Sequence, residues 1–482
     1  MLVTSQLLFS YLREFWPALL EMFRISQRQS ERRLADHWKH LPDTVLIDVF
    51  LLLQDSDRSA LGQVCKRFNQ LFKSARLWRR REFDLTCMSV ADEERMLGFG
   101  RNHAAHLRHL ILSCRHPSYH TCTRFQKTLT TFLNFLFSKT ELLEFSMEHL
   151  EFECYWRYSI SRDRLLTSLK RFVRTQRKLL LFDMTRALFS ADEGCELIQL
   201  LGKSSGQTLQ ELYIEELFVR SSRIFRNPIY LESVAKFKSL ISLHISYNAI
   251  SENTLVIIAR NCGETLEHLK IKVHKHTFRQ HTISRYVWKD IAKMCPRLEV
   301  FIEFLCVGNN VELLRILCPS IPLIDLDIDS GYNHEQHTWR LSNTLEYVSD
   351  TYSKSLETLC LELDNPSENI DGALRYLVRK CIFLTSLEIN AHLSVSLMED
   401  ICILQSNDKI FLTKCHIIAC NVTQEDYSRM KRLRQEYVEQ FASQGCDFKL
   451  RTDYLMDMNE EYGIAALVDF EDDDDLINIL QV

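Results

Sequence analysis

Three stretches of this 482-residue chain carry residue types that can do chemistry. LGKSSG (201–206) has the Gly-Lys-Ser order of a phosphate-cradling loop. Such a loop also needs a glycine five positions earlier, where its backbone N–H groups close on the anion, and Leu197 stands there. The pair Gly98 and Gly100 is no stronger, so nucleotide chemistry is not expected. SCRHPSYHTC places Cys114, His116, His120 and Cys122 within nine residues. These are zinc-ligand types, but C-x-H-x₃-H-x-C is not a familiar structural zinc spacing, and a surface loop with polar histidines is expected instead. KIKVHKHTFRQH gathers His274, His276 and His281 with Lys272, Lys275 and Arg279. An exposed loop following a strand is expected, solvated or reading an acidic partner. No Ser/His/Asp or Cys/His nucleophile set stands out, and no catalytic, metal or cofactor residue is assigned.

The elements that would position these groups follow from composition and periodicity. A net charge of −5 points neither to nucleic acid nor to an anionic membrane surface. Twelve glycines compare with about 34 at ordinary usage, and eight prolines with about 24. Tight hairpins need residues with positive φ, so this scarcity favours helix-rich structure. The N-terminal MLVTSQLLFSYLREFWPALLEMF lacks a basic leader, Arg13 and Glu14 break its apolar run, and no later window has the roughly 18 apolar residues of a membrane span. Sixteen cysteines are therefore expected as reduced, buried thiols in an intracellular protein, in cytoplasm or nucleus.

Near the start, LPDTVLIDVFLLL (41–53) puts Val45, Leu46, Val49, Phe50, Leu52 and Leu53 on one broad helical stripe. Pro42 suits a first helical turn, and Asp43 the positive end of its dipole. Asp55 and Asp57 offer a break and a new start. A second helix then carries Leu61, Val64, Cys65, Phe68, Leu71 and Phe72 on one side, and ends near Trp78. The order LPDTVLIDVFLLL, QVCKRFNQL, ARLW resembles the F-box over residues 40–79, with Thr44 where that family usually has Glu and Phe68 where it usually has Trp. The resemblance implies binding to a Skp-type adaptor of a cullin–RING ubiquitin ligase. Carried over by position, the adaptor-facing residues are Leu41, Pro42, Val45, Leu46, Val49, Phe50 and Leu53. Val64, Cys65 and Trp78 go with them, although some F-box positions pack internally.

From residue 106 a string x-L-x-x-L-x-[I/L] returns. It is plain as HLRHLIL (106–112), TLQELYI (208–214), SLISLHI (239–245), TLEHLKI (265–271), SLETLCL (355–361) and FLTSLEI (383–389). Weaker copies are ELLEFSM (141–147), KLLLFDM (178–184), RLEVFIE (297–303), PLIDLDI (322–328) and FLTKCHI (411–417). Successive copies start 25 to 37 residues apart, near the upper end of the leucine-rich range. In a short strand the Leu positions of L-x-L share one face, and helix-like stretches such as SENTLVIIARNC can return the chain. Only Asn248 clearly occupies the Asn/Cys position beyond the last Leu, so an irregular solenoid is expected. With its F-box, the chain resembles the F-box-only proteins with cryptic repeats.

The expected architecture is α/β, with an N-terminal three-helix F-box followed by an irregular leucine-rich-repeat solenoid of strand–helix units and a C-terminal helical cap. Its parts are an N-terminal extension (1–35), the F-box (36–85), the repeats (86–422), a capping helix (423–450) and an acidic tail (451–482) holding Glu471–Asp475. Tyr427, Met430, Leu433, Tyr437 and Phe441 form the cap's apolar stripe. The implied function is a non-catalytic substrate receptor of an SCF-type ligase, whose repeats hold a protein target of unknown identity. The alternative is an adaptor-binding scaffold without ligase activity. Neither nucleic acid nor membrane is an expected partner.

Overall fold

A computed structural model describes residues 41–86, 88–114, 119–152, 160–275, 277, 281–306, 310–331 and 340–452, without the side chains of 119–123 and 160–161. The N-terminal extension, His116, the side chains of His120 and Cys122, His276, Arg279 and the acidic run lie outside these residues. The chain divides between Arg80 and Arg81 into two compact units.

In the first unit, α1 (Asp43–Leu51), α2 (Asp55–Val64) and α3 (Lys66–Phe72) precede a 3-10 turn at Ala75–Trp78. The second helix anticipated from sequence is two helices. Cys65 adopts an extended backbone at φ −156° and caps α3, its Sγ accepting from the Phe68 N–H. Leu46, Phe50, Leu71, Leu77 and Trp78 form the core. Phe68 meets Phe50 edge-on at 5.6 Å, so an aromatic ring still fills the place usual for Trp. Buried Arg58 donates from Nε to the Phe50 carbonyl at 2.7 Å and from a terminal nitrogen to the Leu51 carbonyl at 2.9 Å. A cation thereby adds to the hydrogen bonds of the last carbonyls at the negative end of α1. The Trp78 indole N–H donates to the Phe72 carbonyl at 2.8 Å and fastens the turn to α3.

The second unit is a sheet of thirteen strands among the described residues, ordered in sequence from edge to edge. They are β1 (Arg80–Asp84), β2 (His109–Ser113), β3 (Glu144–Glu148), β4 (Leu181–Asp183), β5 (Glu211–Ile214), β6 (Ser242–Ser246) and β7 (His268–His274). There follow β8 (Glu299–Leu305), β9 (Leu323–Asp329), β10 (Thr358–Glu362), β11 (Ser386–Ala391), β12 (Lys414–Ala419) and β13 (Asp447–Thr452). From β2 to β13 every neighbour pair is parallel, and helices alternate with the strands. Each of the eleven strings read from sequence overlaps one strand, β2 through β12. Their Leu positions align in register, as in Leu212–Leu243–Leu269–Val300, and these side chains are buried. No unit could cover that apolar row alone; its neighbours do so.

Turns at the C-terminal ends of the strands use few glycines. His149, Arg186, Glu216, Cys306 and Asn421 all have positive φ. The scarcity of glycine therefore reflects turns made by larger residues as well as the all-parallel run from β2 to β13, which uses no hairpin. Asn248 is buried after β6 and donates to the Val219 carbonyl of the preceding unit at 3.3 Å. Two further residues bridge units at similar positions. Asn365 donates to the His392 carbonyl and accepts from its N–H, while the Cys420 thiol meets Asn390 Oδ1 at 3.1 Å.

The last helix among the described residues, Gln424–Ser443, is capped by Thr423, whose side chain accepts from the Asp426 N–H. Tyr427, Met430, Leu433 and Phe441 are its buried residues, while Tyr437 is half-buried. The chain then enters β13, where Phe448 packs edge-on against Phe441 at 4.5 Å.

Candidate functional site

On α1 the single broad stripe resolves into two. Leu46 and Phe50 are 1% exposed and face inward, with half-buried Leu53 continuing their i, i+4, i+7 line. Beside them run Val45 (42% exposed), half-buried Val49 and Leu52 (51%). Pro42 is exposed and Leu41 half-buried at the start of this outer line. Val64 (53%) and Cys65 are exposed where α2 breaks, whereas Trp78 lies inside. Exposed Leu51 and Leu52 complete the apolar surface. Neither was assigned from sequence, although Leu52 lies seven residues from Val45, the same face two turns on. Short helices displaying this much apolar side chain mark a partner site.

Beside that surface two ion pairs close within the unit. Arg67 Nε donates to Asp43 at 2.9 Å, and Arg76 pairs with Asp48 at 2.8 Å. The arrangement offers apolar burial with a polar rim.

The chemical candidates resolve differently. Gly202 and Gly206 end a helix, Ala191–Ser205, instead of opening one behind a strand. A Cβ on Gly206 would stand 2.8 Å from the Lys236 carbonyl oxygen, so glycine here permits close approach of backbones. Cys114 is fully buried at the end of β2, where burial and the charges of Asp84 and Glu148 push its thiol well up. It is a core side chain, not part of a surface loop. Lys272 and His274 also depart from expectation. They belong to β7 and turn onto buried Glu216, whose carboxylate lies 3.4 Å from Lys272 Nζ and 3.0 Å from His274 Nε2. Arg220 reaches it at 2.8 Å. Burial works to raise the Glu216 carboxyl, but His274, Lys272 and Arg220 outweigh it and hold the group far below the usual carboxylate range.

The open face of the sheet, opposite the apolar rows, carries charge that no local motif announced. Register aligns Glu303 with Asp327, and Asp329 with Glu362. Burial, with Glu303 and Asp325 nearby, lifts Asp327 to about 6.

Residues 38–84 match the family model described as F-box-like. The N-terminal helical segment is an F-box-like domain. Over 301 residues the chain is 23% identical to F-box/LRR-repeat protein 21 of Bos taurus, covering 60% of this chain and 64% of that protein. The Ovis aries and Mus musculus proteins of that name are 23% and 21% identical over 291 residues, each covering 57% of this chain and 61% of the relative. The match thus spans less than two thirds of these relatives. A solved chain from the crystal structure of a Rad7 and Elc1 complex in yeast aligns at a TM-score of 0.37 and 14% identity, over 83% of this chain and 96% of that one. The family match and the weak likeness to F-box/LRR-repeat protein 21 support an F-box/LRR organisation, in which the F-box-like domain precedes the strand–helix repeats. No helix among the described residues is long and apolar enough to cross a membrane.

Proposed function

We propose that this chain is a substrate-recognition subunit of an SCF-type cullin–RING ubiquitin ligase. Its F-box-like domain binds a Skp-type adaptor, and its repeats hold a protein to be ubiquitinated. The chain itself is non-catalytic and acts inside the cell. The observation that carries this reading is the outer apolar line of α1, Pro42, Val45, Val49 and Leu52, with Val64 beside the break, in a segment matching an F-box-like model. An adaptor would remove that surface from water, each large aliphatic side chain contributing about 1.5–3 kcal/mol at full burial. Leu46, Phe50 and Trp78 act from inside, holding the helices that present it. Within the F-box proteins we place the chain beside the F-box-only group that includes F-box only protein 39. The likeness in LISLHISYNAIS and LEHLKIKVH supports that placement.

Native pull-down of the full chain tests the proposal. Wild type is expected to recover Skp-type adaptor and cullin, and Leu41→Ala with Pro42→Ala to lose both. Recovery of neither by wild type overturns it.

A further inference from the structure

Strands β8 to β11 contain no Lys or Arg, yet they carry seven carboxylates. Alternation sends Glu303, Asp325, Asp327, Asp329, Glu362 and Glu388 to the open face, because the residues between them are the buried ones. Neighbouring cations are already committed. Lys270 and Lys272 reach Glu303 at 3.0 and 3.1 Å, and Lys414 reaches Glu388 at 2.5 Å. Asp329 accepts from the Gly331 N–H. Among the described residues Asp325, Asp327 and Glu362 have no ion pair or hydrogen bond, Lys270 acting on the two aspartates only from a distance, and those two are half-buried. Unpaired carboxylates held partly out of water cost stability, so the fold keeps here a charge that the described residues do not pair directly.

The dimensions select the occupant. Asp325 to Asp329 spans about 13 Å along β9, and four strands at about 4.8 Å spacing span about 14 Å across. Among the described residues no group of three or more His, Cys, Asp or Glu side chains could hold a metal ion. A field this wide fits a chain of cations instead of one. Its sign excludes nucleic acid and anionic lipid. An extended peptide places alternate side chains about 7 Å apart on one side, the same interval that separates the β9 aspartates.

We propose that the open face of β8–β11 docks an extended Lys/Arg-rich segment of a protein partner, with Asp325, Asp327 and Glu362 as its counter-charges. Its biological meaning, choice of a ubiquitination target, rests on the reading above; the binding itself does not. The cations would gain unpaired carboxylates, and the sheet would lose its internal repulsion.

Fluorescence anisotropy with the full chain and a labelled octapeptide of alternating Arg and Ser tests this, with a Glu-Ser octapeptide as the opposite-charge control. Wild type is expected to bind the Arg-Ser probe saturably, more weakly as salt rises. Asp325→Asn with Asp327→Asn and Glu362→Gln is expected to weaken binding about tenfold or more. Glu144→Gln with Glu148→Gln, on β3 of the same face, is expected to leave it unchanged. Absence of saturable binding, equal binding by the triple variant, an equal loss in the β3 variant, or equal binding of the Glu-Ser probe would each overturn the proposal. Should the triple variant not fold by circular dichroism, Asp327→Asn alone must show a partial loss. Adaptor capture is read on the same samples. Its failure with peptide binding intact counts against the ligase reading alone, and the reverse counts against this inference alone.

Discussion

His274 Nε2 lies 3.0 Å from Glu216 Oε1, with both side chains buried and the two residues fifty-eight positions apart in the chain. The contact joins the end of β7 to the turn after β5, where Glu216 holds a left-handed backbone at φ 50° and its N–H donates to Ser246 Oγ. Removing the carboxylate leaves Lys272, Arg220 and His274 facing one another. Glu216→Gln is therefore expected to destabilise the repeat unit by about 3 kcal/mol, read as a lower urea midpoint and faster hydrogen exchange in β5–β7. The folded carboxyl sits below the ordinary value of 4.5, so its contribution is fully present above that pH and is lost as pH falls toward the folded value. The gap between wild type and variant should hold from neutral pH to about 5 and close below it. A gap that stays open in strong acid would show that shape, not charge, matters at this position.

Asp327 runs the other way. Burial first, then Glu303 and Asp325, raise its carboxyl to about 6 from an ordinary 3.8, so the folded chain holds that proton more tightly than the unfolded one. Above about pH 6 the ionised group counts against folding; the penalty shrinks through the interval below and is gone near 3.8. Asp327→Asn is expected to raise Tm by about 2 °C at pH 7.5, with the difference narrowing as pH falls from 6 to 4. Thermal melts across that range check it. A variant less stable at neutral pH would contradict the assigned repulsion.

Much of the fold was legible because each unit must bury the same face. The L-x-x-L-x-[I/L] string found β2 to β12 through apolar positions that recur near every thirtieth residue. It missed β1, RREFD, and β13, DFKLRT, where charge interleaves with a single Phe or a Phe-Leu pair and the leading Leu is absent. On α1, periodicity could locate six apolar residues but not divide them. Which half turns inward is decided by Leu71, Leu77 and Trp78, supplied two and three elements later. Cys65 split a helix that its periodicity would continue. Lys272 and His274 looked solvated because Glu216, which buries them, is remote in sequence. The carboxylate field is distributed over ninety residues and exists only through strand register.

Gly206 offers a steric test of the GKSSG stretch. A methyl group there would meet the Lys236 carbonyl oxygen at 2.8 Å as well as the carbonyl of Gly202 in its own helix. Both obstacles are backbone, which cannot rotate away. Gly206→Ala is expected to cost about 1–3 kcal/mol, even though alanine favours helix. Gly98→Ala, with open space around its Cβ position, is expected to stabilise slightly. Parallel melts decide the matter, and equal effects would remove the packing explanation.

The two stripes of α1 make separable predictions. Val45→Asp with Leu52→Asp puts charge on the outer line and touches little of the core, so melting should stay within about 0.5 kcal/mol of wild type. Adaptor capture should nevertheless fall by at least about tenfold, since each buried carboxylate would lack a partner. Phe50→Ala removes a ring that is 1% exposed and packs against Phe68, and it should cost about 3–5 kcal/mol. Its loss of adaptor binding would follow unfolding and recover at low temperature to the extent that the helices re-form. Circular dichroism alongside native pull-down distinguishes the two routes. If the outer-line variant kept full adaptor binding while folded, the interface would have to lie on another face of these helices, and the role assigned to Val45 and Leu52 would fall.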